Sequence, residues 1–194
     1  MPKRTDRIGG VSTSIKTPED MLSFFSFKGI EYGHYVDDSK GLEHLIHSTE
    51  AFMDLADMLN MNYFDMSLNV RLSVCFGSRG RGNALGHYEA DTKAINFTKH
   101  KGCLGILAHE YFHAIDNYLF DFSHSYKNGQ MGYVTDIKNI GLSLSLEVVE
   151  AIQDLRSSIL SGNGYESVNI EPSKQVRSAS RYTCVLLINM LRET

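Results

Sequence analysis

The sequence predicts an α+β fold, with a small mixed or antiparallel sheet and several helices. Apolar residues recur every three or four positions in some segments and alternate strictly in another, so both helices and strands occur along the chain. The chain has 194 residues and 42% hydrophobic content, enough to bury one substantial core. We therefore expect residues 1–194 to form a single domain, with a polar arm at residues 1–16.

The composition argues against several classes of protein. A net charge of -4 offers no positive field that would gather the phosphates of a nucleic acid. Cys75, Cys103 and Cys184 lie far apart without a CxxC spacing, which is typical of reduced thiols. The N-terminus has no apolar run typical of a secretory signal, and no run is long enough to span a bilayer. These features predict a cytoplasmic protein with no membrane partner and no strong signal for nucleic-acid binding.

The first half of the chain contains three predicted elements. Thr17 is followed by a proline and two acids, which predicts a helix start with the hydroxyl as its cap. Residues 38–60 show the apolar spacing of an amphipathic helix. Strict alternation over residues 68–76 then predicts a strand with one buried face.

The next segment, FGSRGRGN, is predicted to be a turn that lets the backbone pass close to its neighbours. It lacks the Lys-Ser/Thr ending of a phosphate-binding loop. Arg79 and Arg81 are interpreted as ordinary surface residues or as contacts to an acidic partner. Two short strands joined by a polar turn are predicted within residues 84–98, and helices at about 103–119 and 144–160.

The most informative motif is GILAHEYFHAIDNY, residues 105–118. On a helix, residues four apart lie one turn above each other, so His109 and His113 can both bind one ion. Neutral imidazole suits zinc, and Glu110 can accept the proton of a water that the metal activates. The motif therefore predicts metal-assisted hydrolysis of an amide. The alternative is a core or surface helix that happens to contain two histidines.

A catalytic zinc site usually has three protein ligands, and the third is not evident. Asp116 lies about 10.5 Å farther along the helix than His109, too far to share the ion. It is predicted to orient a histidine or to be a surface residue. The other candidates lie on the next helix or in loops. They are Glu147, Glu150, Asp121, His124 and Asp136.

The predicted hairpin offers a further contact to a substrate. Gly86 either lets a peptide strand pair with the hairpin edge or marks a bulge. His87 and Tyr88 alternate along the strand, so one of them is predicted to face the motif helix and to stabilise an oxyanion.

Several separated segments together resemble a known family. They are FSFKGIEYGHYV, AFMDLADMLNM and the run from LSVCFGSRGRG to AHEYFHAIDNYL. Their order is similar to that in the first of the large polyvalent protein-associated domains, which occur in large multidomain proteins of phages and conjugative elements. The resemblance covers about residues 7–119.

This resemblance implies a zincin-like fold, in which strands and an edge hairpin precede an HExxH helix. It implies that His109 and His113 are metal ligands and that Glu110 is the catalytic acid/base. Asp116 and Tyr118 fall on the positions at the C-terminal end of the family's helix motif. The glycine-rich turn and hairpin of the family fall on Gly77, Arg79, Gly80, Gly82, His87 and Tyr88.

The C-terminal segment, residues 161–194, departs from the family pattern. Related chains carry an aromatic pair and then a glutamate in an E-x-x-A-R helix, the natural third ligand. Residues 177–194, RSASRYTCVLLINMLRET, contain no such pattern. Either the chain uses another ligand, or it is part of a larger polyvalent protein and stops before its site is complete.

We therefore expect a zinc-dependent metallopeptidase of phage or mobile-element origin, with a peptide or protein as its substrate. If it is encoded by a phage, the predicted location is the cytoplasm of the host cell. The alternative is a catalytically inactive interaction module on the same scaffold, which binds a host protein in counter-defence.

Overall fold

A computed structural model describes residues 14–34, 36–79, 85–98, 104–122, 131–136 and 144–161 of the chain. The chain divides into two compact units, residues 1–114 and residues 115–194. The predicted polar arm and C-terminal segment lie outside the described residues, except for residues 14–16 and 161.

The described elements are four α-helices, two short 3-10 helices and four strands, which confirms the α+β class and the mixed sheet. In chain order they are α1 (Pro18–Phe25), β1 (Gly29–Tyr32), α2 (Asp38–Leu59), a 3-10 helix (Tyr63–Ser67), β2 (Ser73–Phe76), β3 (Gly86–Glu89), β4 (Ala94–Phe97), α3 (Leu104–Asp121), a 3-10 helix (Val134–Asp136) and α4 (Leu146–Ser161).

The four strands form one sheet in the order β1-β2-β4-β3. β1 pairs with β2, and β2 with β4, in parallel. β3 pairs with β4 in the antiparallel direction and is an outermost strand of the described sheet. The predicted edge hairpin is therefore confirmed. β1 was not predicted, because four residues are too few to show a period of two.

The two helices that precede β2 begin and end as the sequence predicts. The Thr17 hydroxyl accepts a hydrogen bond from the Asp20 amide at 3.1 Å, and the Asp20 carboxylate accepts one from the Thr17 amide. This reciprocal pair satisfies two amides at the start of α1. α2 ends at Leu59, because the next residue, Asn60, has a left-handed φ of 53° that stops the helix.

The strand predicted over residues 68–76 is shorter than expected. Only Ser73–Phe76 is extended, because Leu68, Asn69 and Val70 have φ values of 51°, 62° and 58°. Ser67 stabilises this left-handed turn. Its carbonyl accepts hydrogen bonds from the amides of Arg71 and Leu72, and its hydroxyl accepts one from the Val70 amide. The apolar alternation at the start of the segment was therefore misleading.

The prediction of one buried face for this strand is also wrong. Val74 and Cys75 point to opposite faces of the sheet, yet their exposed fractions are only 0% and 1%. Both faces of β2 are therefore covered, while β1 and β4 pair with its two edges.

An aromatic cluster forms the centre of the first unit. Phe25 and Phe27 of the α1 region stack at 5.1 Å between ring centroids, and Phe52 of α2 lies against both. Tyr111 of α3 meets Phe52 edge-on at 6.1 Å and is fully buried. Because Tyr111 is part of the HEYFH motif, this packing fixes which side of α3 faces inward and thereby the direction of the histidines.

The second unit has its own small core. Phe120 of α3, Val134 of the second 3-10 helix and Ile152 of α4 are buried together. The predicted helix at about residues 144–160 is confirmed, since α4 spans Leu146–Ser161. In the described ranges, no helix is both long enough and apolar enough to cross a membrane.

The cap of α2 predicts a specific dependence of stability on pH. Asp37 accepts hydrogen bonds from the Lys40 amide and the Ser39 hydroxyl, which lower its pKa to about 2. Since the folded pKa lies below the ordinary value of 3.8, the contribution of Asp37 is complete above that value and is lost as the pH falls through about 2.

We expect the wild type to melt at a higher temperature than Asp37→Asn at pH 7, and the gap to close by about pH 2. Asparagine keeps an acceptor at the cap and does not titrate, which makes it the matched comparison. A gap between the two melting temperatures that stays constant over this range would contradict the assignment.

Candidate metal centre

The two histidines of the motif converge in the middle of α3. Their Nε2 atoms are 3.1 Å apart, and the two rings are nearly perpendicular, at 88°, with centroids 4.7 Å apart. The helix places residues 109 and 113 one turn apart, as the spacing predicts. The structure therefore brings together two of the predicted site residues.

This separation of the nitrogens fits a shared zinc ion. Two nitrogen ligands at about 2.05 Å in tetrahedral geometry would lie about 3.3 Å apart. The distance between His109 Nε2 and His113 Nε2 differs from this by a few tenths of an ångström.

The protonation of His113 also suits a ligand. Burial, together with the neighbouring His109, lowers the pKa of His113 to about 4. The ring is therefore neutral at physiological pH, and neutral imidazole is the form that binds zinc.

Glu110 lies on the same helix, directed toward β3. It has an exposed fraction of 7%, and burial raises its pKa to about 6, although a hydrogen bond from the Tyr88 amide and the charge of His87 oppose the shift. A carboxylate with a pKa near the working pH is well suited to accept and return a proton. Glu110 thus has the burial and pKa expected of a general base.

Gly86 lets β3 approach α3 closely. A Cβ atom at this position would lie 2.6 Å from Cγ2 of Ile106 and 3.7 Å from Cγ of Glu110. The pairing of β3 with β4 is regular from Gly86 to Glu89, so the interpretation of Gly86 as a bulge is wrong. Glycine is needed here because the helix occupies the space of a side chain.

The structure also decides which hairpin residue faces the motif helix. Successive side chains of a strand alternate, and Gly86 lies on the face against α3. Tyr88 therefore shares that face, whereas His87 lies on the other. His87 Nε2 is 3.1 Å from Oε1 of Glu89. Of the two residues proposed to stabilise an oxyanion, only Tyr88 has its side chain on the α3 face.

Asp116 does not behave as the sequence predicts. Its carboxylate accepts hydrogen bonds from the Thr135 amide at 3.0 Å and from the Thr135 hydroxyl at 2.6 Å. It is 5% exposed, and burial raises its pKa in spite of these bonds. Asp116 is thus neither a surface residue nor observed to orient a histidine; it anchors residues 131–136 to the end of α3.

A third ligand is not found in the described part of the chain. Within those residues, no group of three His, Cys, Asp or Glu side chains is placed to hold a metal ion. Glu147 and Glu150 are exposed on α4, and Asp136 is exposed in the second 3-10 helix. Asp121 is half-buried at the end of α3, and His124 lies outside the described residues.

The glycine-rich turn has one feature that the sequence predicts and one that it does not. Gly77 has a φ of 65°, and its carbonyl lies so close to Gly33 that a side chain there has no room, which confirms the predicted close approach. Arg79, interpreted as a surface residue, binds carboxylates of two strands. Its partners, Glu31 and Glu89, are distant in the sequence, so no local pattern could have revealed them.

Comparison with known proteins adds no relative to this description. No family model matches the sequence. No curated protein matches it. No solved structure matches it either. The resemblance to the first large polyvalent protein-associated domain therefore stays a prediction from the motifs.

The close approach at Gly86 predicts a large effect of a single methyl group. We expect Gly86→Ala to lower the free energy of unfolding by about 1–3 kcal/mol, because the new Cβ overlaps Ile106. Urea denaturation measures the change.

Gly105→Ala is the matched control, since a Cβ at Gly105 of α3 meets no atom within 4 Å. This variant is expected to be neutral or to gain up to about 1 kcal/mol from helix propensity. Equal effects of the two substitutions would contradict the packing argument.

Proposed function

We propose that this protein is a zinc-dependent metallopeptidase with a zincin-like site, in which His109 and His113 hold the metal and Glu110 is the general base. The observation that carries the proposal is the convergence of the two Nε2 atoms at 3.1 Å beside a buried carboxylate. The resemblance of the motifs to the polyvalent proteins of phages and conjugative elements supports the same activity and a mobile-element origin.

Each residue has a defined part in the proposed reaction. A bound zinc ion would supply a Lewis acid that polarises a peptide carbonyl and lowers the pKa of a water molecule. The Glu110 carboxylate accepts a proton from the attacking water and returns it to the leaving amine. The neutral ring of His113 is available as a ligand without first losing a proton.

The position of β3 supports a peptide as the substrate. β3 is an outermost strand of the described sheet and lies beside α3 at Gly86. An extended peptide can add to such an edge through main-chain hydrogen bonds. A peptide held there would lie next to Glu110, whose carboxylate already accepts a hydrogen bond from the Tyr88 amide.

A second candidate is an interaction module on the same scaffold, which would bind a protein partner without hydrolysing it. It is favoured by the departure of residues 177–194 from the family pattern, where a third ligand is expected. The two candidates differ in metal content and in the effect of neutralising Glu110.

The first test measures zinc in protein purified without chelators. We expect about one zinc per chain in the wild type and a loss of nearly all of it in His113→Ala, because two imidazoles are needed to hold the ion. His87→Ala is the matched control, since it removes a histidine on the opposite face of β3 and should keep its zinc. A folded wild type that holds no zinc after dialysis at neutral pH would overturn the metal site.

The second test separates the enzyme from the interaction module. We expect Glu110→Gln to retain zinc but to cleave a mixed peptide library at least about 100-fold more slowly than the wild type, as removal of a general base predicts. Mass spectrometry of the products measures the rate. Cleavage by Glu110→Gln at the wild-type rate would show that Glu110 is not the base, and a zinc-loaded wild type that cleaves nothing would favour the module.

A further inference from the structure

One row of polar residues crosses the face of the sheet opposite α3. Glu31 of β1 pairs with Cys75 of β2, Cys75 pairs with Asn96 of β4, and Asn96 pairs with His87 of β3. Residues paired in this way point to the same face. On the two central strands the alternate residues, which include Val74 and Ile95, are apolar and buried. The sheet therefore has one apolar face and one polar row.

The Arg79 side chain lies across this row and binds both outermost strands. Its Nη2 is 3.0 Å from Oε2 of Glu31 on β1, and its Nη1 is 2.9 Å from Oε2 of Glu89 on β3. Three strand spacings, about 14 Å, separate these two strands. A single guanidinium thus joins the two edges of the sheet above Cys75 and Asn96.

The main chain of Arg79 is fixed as firmly as its side chain. The Asn96 side chain accepts a hydrogen bond from the Arg79 amide at 3.2 Å and donates one to the Arg79 carbonyl at 2.5 Å. Asn96 is completely buried, so both bonds are shielded from water. The arginine is therefore pre-positioned before its side chain meets either carboxylate.

The carboxylate of Glu89 is the point at which this network holds β3. Besides Arg79, it accepts a hydrogen bond from the Thr92 hydroxyl at 2.8 Å and contacts His87 Nε2 at 3.1 Å. The three partners come from the turn after β2, from the turn after β3 and from β3 itself. They fix the strand in position on its polar face.

The opposite face of the same strand contacts the proposed base. Tyr88 lies between His87 and Glu89, and its amide donates a hydrogen bond to the Glu110 carboxylate. Gly86 packs directly against Ile106 of α3. A shift of β3 would therefore move the amide that holds Glu110, although Arg79 itself touches no residue of the metal centre among the contacts described.

We propose that Arg79 is a positioning residue: by clamping Glu31 and Glu89 it fixes β3 so that the Tyr88 amide orients the Glu110 carboxylate. The inference rests on the proposed function only in its last step, the orientation of a catalytic base. Arg79 then supports the site from the opposite face of the sheet, through Glu89 of β3.

Amide hydrogen exchange measured by NMR tests the first step without reference to activity. In Arg79→Met we expect the Tyr88 amide to exchange at least about tenfold faster, while the Ala56 amide in α2 changes less than about twofold, since only β3 is released. Arg71→Met, which removes a positive charge from the turn before β2, is the matched control and should leave Tyr88 unchanged. An unchanged Tyr88 amide in Arg79→Met, or equal increases at Tyr88 and Ala56, would overturn the proposal.

Arg79→Lys keeps the experiment decisive if Arg79→Met does not fold. Lysine retains the charge as a compact point and cannot hold two carboxylates in the same forked geometry. We expect the exchange rate of the Tyr88 amide to rise several-fold in this variant, but less than it rises in Arg79→Met. Exchange at the wild-type rate in Arg79→Lys would show that charge alone, and not the clamp, fixes the strand.

Kinetics on the zinc-loaded protein test the second step. Arg79→Met should lower kcat about tenfold with KM and zinc content unchanged, because Glu110 is misplaced and the two histidines are not. A normal kcat together with fast exchange at Tyr88 would overturn the link to Glu110. If the wild type cleaves no peptide, the proposed function fails, and the exchange data still decide whether Arg79 positions β3.

Discussion

The contact between β3 and α3 at Gly86 is the constraint on which the arrangement of the candidate site depends. It brings one face of β3 against the N-terminal half of α3 at a distance that leaves no room for a side chain. Glu110 is buried as a result, and its carboxylate reaches a main-chain amide of the strand. On its other side the helix is held by Tyr111 against the aromatic cluster. The histidines therefore lie on a helix that is fixed from two directions.

Burial has opposite effects on the pKa values of Glu110 and His113, two of the titratable groups of this helix. It raises the pKa of Glu110 to about 6 and lowers that of His113 to about 4, since in each case the charged form is disfavoured. At neutral pH the His113 ring is therefore uncharged, whereas the Glu110 carboxyl is mostly ionised. A divalent cation near Glu110 would lower the pKa of its carboxyl group, because a nearby positive charge favours the ionised form.

Sequence patterns predicted the local features of the molecule well. Helical spacing located α2, α3 and α4, and the four-residue spacing of His109 and His113 predicted their convergence. The alternation of apolar residues over 68–76 predicted too long a strand. Ser67 stabilises a left-handed turn at the start of this segment, and the spacing of apolar residues does not indicate such a turn. Arg79 was missed for a different reason: its carboxylate partners come from β1 and β3, and only the order of strands in the sheet brings them together.

The mixed pairing of the sheet has a consequence for the order in which the chain folds. β3 and β4 are joined by a short turn, and a hairpin of this kind forms within about 1–10 μs. β1 reaches its parallel partner β2 only after α2 and a 3-10 helix have been placed between them, which closes a long loop. We therefore expect the hairpin to form before the centre of the sheet, so that the strand beside the candidate site precedes the core that later supports it.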